Sequence, residues 1–77
     1  MGKGPSQEFL KKFGENLKKI REGVGISQRE LASLCVVDHS HISKIERGEK
    51  NITILTVFEL ANALGVKAKK LLDFEVE

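Results

Sequence analysis

Apolar residues in the first third of the chain, Phe9, Phe13, Leu17, Ile20 and Val24, recur at steps of four, four, three and four. That period lines one face of an α-helix and leaves the intervening lysines and glutamates on the other. Ser6 offers an N-cap hydroxyl just before the stripe, with Gln7 and Glu8 in the first turn. Gly23 and Gly25 close it, because glycine accepts the left-handed conformation that ends helices. The pattern predicts a first helix over about residues 7–22, preceded by a flexible arm over residues 1–6.

Similar signals continue down the chain. Ser27 caps "QRELASLC", with Glu30 at the capping-box position three residues on. After a break at "VV", Asp38 caps "HSHISKIE" and Gly48 ends it. Thr53 caps "ILTVFELANAL" and Gly65 ends that helix, and a short helix over about residues 67–72 precedes the acidic tail "DFEVE". No stretch alternates with the two-residue period of a strand, nothing repeats, and no low-complexity linker divides the chain. The expected fold is all-α, one compact domain of five short helices over residues 7–77. Phe9, Phe13, Phe58 and Phe74, spaced on the stripes, are assigned to the core rather than to a base-stacking platform.

Composition narrows the function classes. With 77 residues, 40% hydrophobic and 31% charged, the chain is an ordinary globule near the lower size limit for a single core. Its one cysteine, Cys35, permits neither an internal disulfide nor a cysteine-based zinc site, which suits a reducing cytoplasm. The absence of a membrane-length apolar run or a signal-peptide block points to a cytoplasmic location without membrane contact. Residues 1–50 hold ten Lys/Arg against seven Asp/Glu, and residues 51–77 hold three against four. A mildly basic body is compatible with a polyanionic partner but does not by itself establish one. No nucleophile–base pair, phosphate loop or metal cluster stands at usable spacing, so no enzymatic chemistry, cofactor, metal or small-molecule ligand is expected. His39 and His41, two apart on a helix, point in different directions and do not form a ligand pair.

Residues 28–47 carry a more specific arrangement. Two helices that cross steeply after a tight turn must touch through a small residue, and Ala32 occupies that place. Leu31 and Cys35 face the core from the first of these helices, Val37 plugs the turn, and Ile42 and Ile45 face it from the second. His39, Ser40 and His41, in the first turn of that second helix, contribute nothing to a core. Imidazoles and hydroxyls can donate or accept hydrogen bonds. This is the pattern of a helix-turn-helix.

The stretch "SQRELASLCVVDHSHISKIERGEKNITILTVFELANALGV" resembles the phage-repressor and Cro type of helix-turn-helix domain, the xenobiotic-response-element family. "SQRELA", "ISKIERGEKN" and "LANALGV" are its most specific parts, and the resemblance spans about residues 9–72. It implies a lambda-repressor-like fold and a sequence-specific double-stranded DNA-binding transcriptional regulator, with the helix at 38–47 reading the major groove. His39, Ser40, Ser43 and Lys44 match positions that face base edges or nearby phosphates, and Lys44 suits guanine O6 and N7. Ser27 and Gln28 match positions that grip a phosphate, as do Lys50 and Asn51 on the following loop. Arg21 and Glu46 match a partly buried ion pair joining the first helix to the recognition helix. The small size resembles stand-alone repressors and restriction-modification controller proteins.

Two departures stand out. The family usually has glycine where this chain has Val36, so either Val36 carries the strain of positive φ or the turn takes another path. A serine or threonine cap is also missing near Lys67. A single short recognition helix reads too few base pairs to find one site in a genome, and proteins of this motif meet that limit by two-fold pairing. A homodimer on a pseudo-palindromic operator is therefore expected, with Leu71, Leu72, Phe74 and Val76 as its surface. The rival class is a protein-interaction module, such as an antitoxin or a regulator-binding adaptor. That class predicts a recognition helix poor in DNA-compatible side chains.

Overall fold

The first apolar stripe folds as one helix, α1 (Gly4–Val24), 21 residues long. The structure, a computed structural model, describes residues 4–76, with side chains from Ser6 onward. The helix starts before Ser6, which therefore lies inside it rather than capping it, and the expected arm is helical from Gly4; residues 1–3 lie outside the described residues. Gly23 is also helical. The end comes at Gly25, where φ is +93° and the N–H bonds back to the carbonyls of Arg21 and Glu22, both at 3.1 Å.

The remaining helices start where capping side chains place them. For α2 (Gln28–Ser33), Ser27 Oγ accepts from the Glu30 N–H at 3.0 Å and the Ser27 N–H donates to Glu30 Oε1 at 2.7 Å. This helix stops at Ser33, leaving Cys35 in the turn. Asp38 Oδ1 accepts from the His41 N–H at 2.8 Å to open α3 (His39–Glu46). Thr53 Oγ1 accepts from the Thr56 N–H at 3.1 Å to open α4 (Ile54–Leu64). Lys67 gives no such bond to α5 (Ala68–Leu71). Asn16 of α1 instead ties α5 down, donating from Nδ2 to the carbonyls of Lys70 and Leu71, both at 3.0 Å. The described residues contain no strand, and none of their helices is long and apolar enough to cross a membrane.

One core joins all five helices. Phe13 and Leu17, Leu31, Ile42 and Ile45, Leu60 and Leu64, and Leu71 represent α1 to α5 in turn, and Val37 enters from the turn. Burying an aliphatic or phenyl side chain contributes about 1.5–3 kcal/mol. Leu71 is wholly buried in this core, which corrects its assignment to a dimer surface. Phe74 also turns inward, with its ring centroid 5.3 Å from Phe9 and 6.4 Å from Phe13. Phe9, at 41%, and Phe58, at 56%, depart in the other direction, exposed instead of in the core.

Val36 carries no strain. Among the described residues only glycines have positive φ, so the turn after α2 follows a different path, with Val36 at 82% exposure. Replacing it with glycine has no strain to relieve.

Gly14 and Gly48 set the closeness of α1 and α3. A Cβ at Gly14 would overlap the carbonyl oxygens of Ile45 and Glu46, and one at Gly48 would stand 2.8 Å from Lys11 Cα. Gly14→Ala should therefore lower stability by about 1–3 kcal/mol through overpacking. Gly23 has nothing within 4 Å of a Cβ, so Gly23→Ala should raise stability by up to about 1 kcal/mol through helix propensity. Urea unfolding of the two variants should move in opposite directions; a stabilised Gly14→Ala would rule out the tight seam.

Candidate nucleic-acid interface

The inward face of α3 is fixed by Ile42, Ile45 and Glu46, all buried. At 3.6 residues per turn, Ser40, Ser43, Lys44 and Arg47 follow one another at i, i+3, i+4 and i+7 along the opposite face. Ser40, Lys44 and Arg47 are exposed, and Ser43 is half-buried. His39 and His41 fall on the two flanks, each half-buried. Three of the four expected base-facing residues thus share the outer face, and His39 stands at its edge.

Arg47 is the addition the sequence did not suggest. It is the C-cap of α3, with near-helical φ −87° and ψ 0°, so the outer face extends one residue beyond the helix. Its Nη1 donates to Ser43 Oγ at 2.6 Å, while Nε and Nη2 donate to Glu49 Oε2 and Oε1 at 3.1 and 3.2 Å. These bonds hold the Glu49 carboxyl below its ordinary range and raise the Arg47 guanidinium, the mutual hydrogen bond being the main cause for both. An exposed pair of this kind contributes little to folding. The signal available in the sequence was the spacing of Arg47 from Ser40 and Ser43.

The expected phosphate-gripping residues occupy the segments before and after α3. Ser27 is exposed at the start of α2, and Lys50 and Asn51 are exposed on the loop that follows α3. Gln28 is different: its Nε2 donates inward to Glu46 Oε1 at 2.9 Å. A carboxamide carries two N–H donors and a carbonyl oxygen, so this bond does not exhaust Gln28.

Glu46 receives more than Gln28. Arg21 Nε lies 2.7 Å from Oε2 and Nη2 lies 3.1 Å from Oε1, a bidentate fork. The third Arg21 nitrogen, Nη1, donates to the Ile26 carbonyl at 2.8 Å. Both side chains are buried, and no buried side-chain polar atom among the described residues lacks a partner. The bond to Glu46 raises the Arg21 guanidinium further, against the opposing effect of burial. This unit joins α1, α2 and α3.

A second surface lies on α4. Val57, Leu60, Ala61 and Leu64 take the buried positions, but Ile54, Leu55 and Phe58 are apolar too and face outward, Ile54 at 83% exposure. Phe58 stands at i+3 from Leu55 and i+4 from Ile54, so the three are neighbours on the helix surface. An open groove continues the patch, lined in part by Phe9, Ile52, Ile54, Leu72 and Val76. "ILTVF" already held the clue, being too apolar for a helix with one buried side. Among the described residues, no group of three or more His, Cys, Asp or Glu is placed to hold a metal ion.

The geometry has counterparts among known proteins. A family model described as "Helix-turn-helix" matches residues 17–71. Over 63 residues the chain is 40% identical to control protein C.BamHI of Bacillus amyloliquefaciens, covering 80% of this chain and 78% of that protein. It is 36% identical over 59 residues to the uncharacterized HTH-type transcriptional regulator y4dJ of Sinorhizobium fredii, covering 77% of each. Its structure is similar to that of the restriction-modification controller protein C.AhdI from Aeromonas hydrophila, with a TM-score of 0.82 at 35% identity, covering 84% of this chain and 94% of that one.

Stranding the buried carboxylate should cost more than removing the pair. Arg21→Met leaves Glu46 charged without its main partner and should lose about 3–5 kcal/mol in urea unfolding. Adding Glu46→Leu should recover part of that loss. A double variant no more stable than Arg21→Met would show that the deficit lies in packing rather than in the unpaired charge.

Proposed function

The chain belongs to the helix-turn-helix family, and from that membership we propose that it is a sequence-specific double-stranded DNA-binding transcriptional regulator. The observation that carries the reading is the outer face of α3. A regular row of hydroxyl, ammonium and guanidinium groups runs along it, backed by two fully buried isoleucines. Such a helix fits the major groove and supplies donors for base edges. His39, Ser40, Ser43 and Lys44 are the base-reading residues in this proposal. Ser27, Gln28, Lys50 and Asn51 hold phosphates and set the register. Regulation then proceeds by binding, without enzymatic chemistry, on cytoplasmic DNA. The similarity to C.BamHI and C.AhdI supports a controller role of the same kind.

Pairing of two copies completes the proposal, since two recognition helices about 34 Å apart would meet successive major grooves on a pseudo-palindromic operator. The exposed apolar face of Ile54, Leu55 and Phe58, continued by Leu72, supports pairing there rather than through the buried Leu71. Phe74 and Val76, both half-buried, lie at its margin.

Selection of bound sequences from a random duplex pool tests the reading directly. Lys44→Ala should relax preference at one position by about 1–3 kcal/mol while leaving the others. Asn51→Ala should weaken all duplexes alike. Equal, sequence-blind losses from both changes would contradict the assignment.

Phe58→Ala, at an exposed site, should leave the fold intact but weaken self-association and cooperative binding to paired half-sites. Sedimentation showing a monomer at tens of micromolar, with and without operator DNA, would exclude the pairing.

A further inference from the structure

We propose that Arg47 tunes base preference through Ser43, by turning the serine proton away from itself and biasing the hydroxyl toward donation into the groove. The inference rests on α3 reading the major groove, and it concerns a contact between two side chains rather than a new contact to DNA. A serine hydroxyl alone is ambivalent, with one donor and two acceptor lone pairs. It tolerates donors and acceptors on base edges alike. A guanidinium has only donors. At the 2.6 Å contact with Arg47 Nη1, Ser43 Oγ can therefore only accept, and the positive charge directs its hydroxyl proton away from Arg47.

The contact is braced from behind. Glu49 takes Arg47 Nε at 3.1 Å and Nη2 at 3.2 Å, which orients the guanidinium plane and leaves Nη1 for Ser43. Gly48, at φ +77° between them, reverses the chain so that residues 47 and 49 can meet. Glu49, Arg47 and Ser43 thus form a relay that ends in a hydroxyl whose proton is turned away from Arg47. In the major groove, acceptors are guanine N7 and O6, adenine N7 and thymine O4, whereas cytosine offers only the N4 donor. Ser43 keeps one free lone pair, but with its O–H polarised by the guanidinium it donates better than it accepts, which favours guanine or thymine over cytosine at the position it faces. Arg47 is a positioning residue here.

The test uses sequence selection and salt titration on the full chain and on Ser43→Ala, Arg47→Met, Arg47→Lys and Glu49→Gln. Circular dichroism serves as a check on folding, and residues 47 and 49 are exposed. Ser43→Ala should erase a preference of roughly tenfold at one position. Arg47→Met and Arg47→Lys should admit cytosine at that same position and leave the rest of the consensus unchanged. Arg47→Lys keeps the charge but not the fork, so its relaxed preference assigns the effect to orientation. Glu49→Gln should relax the position partially.

Several results overturn the proposal. In one, Arg47→Met weakens every sequence alike and lowers the salt slope by about 1, the mark of a phosphate contact. In another, Ser43→Ala changes no position, so Ser43 reads no base while DNA recognition stands. Retention of the preference in both Arg47 variants overturns it as well. A wild-type chain that selects no sequence would instead remove the DNA-reading premise.

Discussion

Glu46 places a carboxylate in the interior of a domain of 77 residues, and α1, α2 and α3 are arranged around satisfying it. Arg21 reaches it from α1 and Gln28 from α2, while Arg21 also binds the Ile26 carbonyl between those helices. A buried charge without partners costs several kcal/mol, and the attraction within a pair offsets that only when the geometry is good. Sliding α3 by one residue would rotate Glu46 by about 100° and break the fork. The pair thus acts more as a register pin than as a source of net stability. It fixes α3 against α1 and α2. Gln28 helps to satisfy the interior carboxylate from the start of α2.

The two sides of α3 answer to opposite demands. Inside, Gly14 lets the α1 backbone approach the carbonyls of Ile45 and Glu46 more closely than any side chain would allow. Outside, Ser40, Ser43, Lys44 and Arg47 need room and water. A rigid inner contact and a polar outer row are therefore parts of the same arrangement.

What the sequence disclosed was local or periodic. Ser27 with Glu30, Asp38 and Thr53 marked helix starts because capping needs only a side chain and an N–H within three residues. The stripes on α1 and α3 named Phe13, Leu17, Ile42 and Ile45 as core because burial repeats every three or four residues. Arg21 and Glu46 came from family resemblance, since no local rule pairs residues 25 apart. The misses have physical reasons. Leu71 lies at the end of a four-residue helix, too short for periodicity to tell inside from outside. Phe58 sits beside Val57 in a run apolar on two faces. Gly14 reads as a weak point in a helix until the neighbouring backbone is known. Arg47 follows the last residue of α3, where the eye stops at Gly48 although the side-chain row continues.

The missing cap on α5 bears on how this domain breathes. Four helical residues without a side-chain cap are held by two bonds from Asn16 and by one buried leucine. Such a segment should open locally at lower free energy than the whole domain, with its amides exchanging early. Leu72 follows it directly, on the edge of the exposed apolar face. Any chain seated against that edge binds the closed segment and not the open one. By mass action, protection of the last helix then rises with the logarithm of the partner's concentration. Occupancy of the apolar face would then be registered in the backbone dynamics of this short helix.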